Sequence, residues 1–242
     1  MTKFGQSDDL RGAEFAEANL KGARFVECDL TDVVMRGVDI GGTDIDAPWL
    51  AEAGASLMIN GVEVAPYVQA ELDRRFPGRS ERHAEDLDGL RSAWAAVERA
   101  WSKARDRAAS MPDGTVDMSV GGEWSFAQTQ RHLVQATDLW LGRAVLERDD
   151  LHPLGVRYGD TPADTPPYAE VLKARADRVA MVRDFLATIT PPDLDTPRTN
   201  PHGPRPETTR SCLHVILGEE WEHYRFATRD LDTIATGKKP TI

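Results

Sequence analysis

Between Asp9 and Ile45 every fifth residue is large and apolar: Leu10, Phe15, Leu20, Phe25, Leu30, Met35, Ile40 and Ile45. Two places before most of these stands a smaller residue, at Ala13, Ala18, Ala23, Cys28, Val33, Val38 and Thr43. A strand repeats its side-chain direction every two residues and a helix every 3.6, so neither produces this pattern. A fixed period of another length predicts a solenoid, in which each coil covers the apolar residues of the next. The run is short, and a stack of few coils buries little by itself.

Beyond Pro48 the period disappears. SLMINGVEV reads as two short strands around Asn60-Gly61, a pair suited to the two positive φ angles of a type I′ turn. Pro66 opens a short helix, YVQAELDRRF, which stops before Pro77-Gly78. From about residue 80 the spacing becomes helical. Leu87, Leu90, Trp94, Val97 and Trp101 mark a first long helix. Phe126, Leu133 and Trp140 mark a second, with Ser125 and Gln128 forming a capping box at its start. Tyr168, Val171, Leu172, Val179, Val182, Phe185 and Leu186 mark a third, ended by Pro191-Pro192. The segment LHVILGEEWEHYRFATRDL is the fourth. Four amphipathic helices of this length predict a four-helix bundle. The connections at 111–124, 149–166 and 191–207 are long and rich in Pro, Gly and Asp, as functional loops often are. The expected organisation is a repeat segment over 1–48, a hairpin and short helix over 49–79, and the bundle over 80–242.

The fourth helix carries the chemistry. Cys212, Ile216, Glu219, His223, Phe226 and Asp230 fall on one face at about 100° per residue. An unpaired carboxylate buried among apolar residues costs several kcal/mol. The i, i+4 spacing brings Glu219 and His223 to one point, where a divalent cation satisfies both. His132, at the edge of the second helix's apolar stripe, is the candidate third ligand. Glu220 is three residues from His223 and is the rival for the carboxylate position. His214 is half a turn out of phase with His223 and reads as a packing or surface residue. His83 and His152 read as solvated, while His202, in NPHGPRP, is placed to approach from a loop. Cys212 reads as a small buried hydrophobe rather than a nucleophile. Asp230 is a candidate outer partner of the site. The tryptophans read mostly as core, with one or two left over to line a pocket.

The chain has 242 residues, a net charge of -11 and 40% hydrophobic residues. That acidity disfavours nucleic acid and anionic membrane as partners. Two cysteines, Cys28 and Cys212, make no disulfide framework and suit a reducing cytoplasm. No signal-type or spanning apolar segment is present in the sequence.

The five-residue spacing over 9–46 resembles the pentapeptide-repeat family, which implies a short right-handed β-helix. WSFAQTQRHLVQATDLWL and LGEEWEHYRFATRDL, with MINGVEVAPYVQAELDRRFPGR upstream, resemble the DinB/YfiT-like superfamily over roughly 56–235. Within it they are similar to the actinobacterial branch related to mycothiol-dependent maleylpyruvate isomerases. The resemblance implies a mainly α fold, an up-down-down-up four-helix bundle with a divalent metal near one end. It places the ligands at His132, Glu219 and His223, with a Glu-x3-His pair on the last helix.

Two imidazoles and one carboxylate suit zinc or nickel and leave coordination positions open. The leading expectation is a metal-dependent transferase or isomerase. It would act on a small electrophilic substrate with a low-molecular-weight thiol, mycothiol where the cell makes it. A metal-dependent hydrolase is the second expectation, weakened by the lack of a separate general base. The third is a non-catalytic interaction protein, in which the repeat serves as a cap, a homodimer surface or a recruitment site.

Overall fold

The computed structural model describes residues 3–5, 7–50, 54–157, 160 and 164–237. The chain divides into two compact units, Met1–Gly42 and Thr43–Ile242. In the first unit the period of five is written in the backbone. A positive φ, between 50° and 77°, recurs at Gly12, Glu17, Gly22, Glu27, Asp32, Gly37 and Gly42. Every second corner is reinforced by a side chain. Asp9, Asn19, Asp29 and Asp39 each accept a hydrogen bond from the backbone N–H two residues on, at 2.9 to 3.1 Å. Such Asx turns fix the corner locally. Strands of the expected β-helix are not formed among the described residues of this unit. Its apolar column is far from buried, with Leu10 44% and Phe25 60% exposed. About two coils contain no interior coil, so no column residue is covered on both sides.

The second unit is helical. Strands β1 (Met58–Ile59) and β2 (Val62–Glu63) pair antiparallel. Asn60 and Gly61 turn between them with φ of 52° and 80°, the type I′ geometry. Helix α1 (Ala65–Arg75) follows. The bundle consists of α2 (Leu87–Ala109), α3 (Phe126–Thr137), α4 (Tyr168–Thr188) and α5 (Thr209–Thr236). Helices α2 and α3 each pack on both α4 and α5. The ring therefore runs α2, α4, α3, α5, with α2 and α3 at opposite corners. Leu90, Trp94, Val97 and Trp101 of α2 meet Leu133 of α3, Val182 and Leu186 of α4, and Ile216, Leu217 and Trp221 of α5 in one buried core. Each such side chain contributes roughly 1.5–3 kcal/mol by leaving water.

Helix starts follow the sequence closely. Asp86 caps α2 through the Gly89 N–H at 2.7 Å. Ser125 and Gln128 exchange the expected capping-box bonds at the start of α3. Thr208 and Ser211 do the same for α5.

Two features depart from the simple periodic reading. The second long helix does not stay α throughout, because Asp138–Arg143 continues α3 as a π-helical turn. The buried Asp138 carboxylate there receives Arg178 Nε of α4 at 2.5 Å and the His152 N–H at 2.7 Å. That double anchor holds the widened turn against the next helix. The connection 191–207 is also structured. It contains a 3-10 turn, Pro191–Asp195, and leads into an antiparallel pair, β3 (Pro197–Thr199) and β4 (Pro206–Thr208). Among the described residues no helix is long and apolar enough to cross a membrane.

Candidate metal centre

Helices α3 and α5 are neighbours, and their contact brings His132 to Glu219 and His223. One ligating atom from each lies within 4.8 Å of the others. His132 is buried at 7% exposure. Its Nε2 faces Glu219 Oε2 at 3.4 Å. The two imidazole rings lie nearly parallel, 4.6 Å between centroids and 28° apart.

Both rings are oriented from behind. His132 Nδ1 hydrogen-bonds the Val156 carbonyl at 3.0 Å, and His223 Nδ1 the Glu219 carbonyl of its own helix at 2.9 Å. A carbonyl only accepts, so each Nδ1 carries the proton and donates it. Each Nε2 is then left with a bare lone pair, the tautomer a metal ligand needs. Burial above all pushes His223 down to about 4, which keeps its imidazole neutral near pH 7. Burial also acts to raise the Glu219 carboxyl, but the His132 ring beside it, and then the His223 ring, outweigh burial. The net shift is below the usual carboxylate value. Imidazole nitrogens and an ionised carboxylate thus crowd one point and repel one another wherever no proton lies between them. A cation among them removes that repulsion, so the donor set fits a divalent metal.

The loop that supplies Val156 is tied to α3 twice more. Arg131 Nε donates to the Leu154 carbonyl at 2.8 Å, and the Val156 N–H donates to the Arg131 carbonyl at 3.4 Å. Gly155, between them, passes so close to α3 that a Cβ there would lie 3.1 Å from Gln135 Cβ and 3.2 Å from the His152 carbonyl oxygen. Arg131, Gly155 and Val156 belong to no motif or period that marks them in the sequence. The only sequence signal was the length of the 149–166 connection.

Trp124 completes the surroundings. Its ring lies 4.7 Å from His132 and 6.2 Å from His223. Its Nε1 donates to the Asp160 carbonyl at 3.3 Å. It is the tryptophan that serves the site, while Trp94, Trp101, Trp140 and Trp221 are buried. On the far side Phe226 meets His223 edge-on at 5.9 Å, with Arg225 stacked over its face.

The remaining candidates separate cleanly. Glu220 lies one residue, about 100°, further round α5 and points into the core, where both its oxygens accept from Arg175 Nη2. It is not the carboxylate of this cluster. His214 bonds the Ala84 carbonyl at 2.9 Å and packs edge-on to His83. His202 is exposed, 5.7 Å from Trp140, and close enough for its charge to act on Glu219. Asp230 is engaged by Arg229 Nε at 2.8 Å. Cys212 is fully buried, and burial pushes its thiol up to about 12, so it is not a nucleophile near neutral pH. Cys28 is exposed.

Comparison with known proteins agrees with this architecture. The model of the DinB superfamily matches residues 96–227, and that of pentapeptide repeats, in eight copies, matches 9–46. The chain belongs to the DinB superfamily, whose members are generally metal-dependent enzymes, and carries an N-terminal pentapeptide-repeat segment. No curated protein and no solved structure matches the chain.

Proposed function

We propose that this protein is a metal-dependent transferase or isomerase that activates a low-molecular-weight thiol toward a small electrophile. The observation that carries the reading is the convergence of His132, Glu219 and His223 on one point, with His132 Nε2 3.4 Å from the Glu219 carboxylate and its Nδ1 held from behind by the Val156 carbonyl. His132, Glu219 and His223 hold the metal, with zinc or nickel best suited to two imidazoles and one carboxylate. When bound, such a cation keeps open positions and lowers the pKa of a thiol or water that occupies one of them. The chain's own contribution is positioning. Trp124 shields one side of the histidine pair from water, and Val156 fixes the His132 ring. Mycothiol is the thiol suggested by resemblance to the isomerase branch. Two free cysteines suit a reducing cytoplasm, and the acidic surface suits small-molecule rather than nucleic-acid partners.

All three side chains of the cluster among the described residues are needed as ligands, so none of the three is left to act as a separate base. This favours a thiol, which reacts as its own thiolate, over hydrolysis by activated water. The test is metal analysis of purified wild type beside His132→Ala, then thiol consumption against 1-chloro-2,4-dinitrobenzene and maleylpyruvate. Metal lost in His132→Ala and thiol consumption dependent on the metal support the reading. Metallated protein that leaves thiols untouched overturns it, and ester or amide cleavage without thiol would point to the hydrolase instead.

A further inference from the structure

On the other side of α5 lies a cleft of about 320 Å3. Its floor includes Trp221, Tyr224 and Phe76, and its walls carry Arg75, Arg99 and Lys103. Trp221 is two residues from both Glu219 and His223, about 200° round the helix, so the body of α5 separates the cleft from the metal cluster. Small residues open the space. Ala96 and Ala100 line it from α2, and the Gly78 backbone comes so close to α2 that a Cβ there would lie 2.7 Å from Ala96 Cβ. The aromatic floor is rigid, with Tyr224 edge-on to Phe76 at 5.9 Å, to Trp221 at 5.8 Å and to Trp101 at 5.5 Å.

The charge at this cleft runs against the rest of the molecule. The chain has 40 acidic and 29 basic residues. Yet three bases surround the cleft against one acid, Glu81, which accepts a hydrogen bond from Ser92 at 2.7 Å. Arg75 is paired with Glu71. The side chains of Arg99 and Lys103 have no ion pair or hydrogen bond among the described residues, and the Tyr224 hydroxyl has no hydrogen bond among them either. Two unneutralised cations and a free phenol beside a floor of edge-on aromatic rings make a receptor for a small aromatic anion. The Arg99 fork suits a carboxylate, Lys103 adds a point charge, and the rings offer an apolar face. The volume lies at the lower end of the small-molecule range and fits one or two fused rings, not a polymer.

We infer that the Arg99–Lys103–Tyr224 cleft is a second binding site, for a small aromatic carboxylate, distinct from the metal centre. The experiment is calorimetric titration of the full chain with 2-naphthoate, beside the neutral 2-naphthalenemethanol and inorganic phosphate. Saturable naphthoate binding, stronger than that of either control, is expected. It should weaken about tenfold or more in Arg99→Glu/Lys103→Glu, two exposed positions whose change leaves thermal unfolding intact. Binding should survive in His132→Ala, which separates this site from the metal reading. Absence of saturable binding, equal binding by the double variant, or equal binding of the neutral alcohol would overturn the inference.

Discussion

At the scale of single residues, the orientation of His132 depends on one backbone carbonyl. Val156 reaches Nδ1 only because Gly155 lets the loop lie against Gln135. Gly155→Ala should push the carbonyl away while leaving all three ligands in place. Losing such an orienting partner typically weakens metal binding about 10–100-fold. Competition with a chromogenic chelator measures this, and unchanged affinity would remove Val156 from the account. The cysteines give a second residue-scale prediction. Cys28 should react with iodoacetamide in the native protein, and Cys212 only after unfolding. Burial raises the Cys212 thiol from its ordinary value of 9.0 to about 12. An unfolded chain therefore releases that proton first, and between these two pH values unfolding is favoured as pH rises. Cys212→Ala should flatten the alkaline loss of stability measured by urea titration, and an identical pH profile would show that the buried thiol contributes nothing. The Glu219–His223 pair of the cluster was legible in the sequence, because i, i+4 spacing on an apolar face is a one-dimensional signal. The Glu219–Glu220 choice was open there, since adjacent residues differ by only about 100° and either one suits the period. Arg175, on another helix, settles it in three dimensions.

At the scale of elements, the bundle is held in register by a buried ion pair as well as by its apolar core. Arg175 of α4 and Glu220 of α5 are each 1% exposed. Removing one partner leaves the other charge buried alone, at a cost of about 3–5 kcal/mol. Arg175→Ala should lower stability by about that amount in urea unfolding, whereas Arg175→Met/Glu220→Leu should recover most of it. A single variant as stable as wild type would mean that water reaches the orphaned carboxylate. Helix existence and starts were readable because caps and apolar spacing are local. The π turn at Asp138–Arg143 was not, since its cause is the pull of Arg178 and the His152 N–H from elsewhere in the chain. The β3–β4 pair was hidden for a related reason. Pro197 and Pro206 read as loop, and the short strands are held by long-range bonds such as Thr209 N–H to the Thr196 carbonyl at 3.1 Å.

At the scale of the whole molecule, two kinds of periodicity specify two units with different claims to independence. The core of the second unit draws only on residues from Phe76 onward. Its site likewise uses residues from 124 to 223. The repeat's period was fully legible, but its burial was not, because a sequence period says which residues share a column and not how many coils cover them. With its column residues about half exposed, a unit of only Met1–Gly42 lies at the margin, roughly 40 residues, where a chain needs staples or partners to fold alone. A protein beginning at Thr43 should therefore keep its helical circular dichroism, a cooperative thermal transition and one equivalent of metal per chain. A peptide of residues 1–46 should show no cooperative transition. Should the truncated bundle instead lose its metal or its cooperativity, the repeat would be part of what holds α3 and α5 together. The centre could then no longer be understood from those two helices alone.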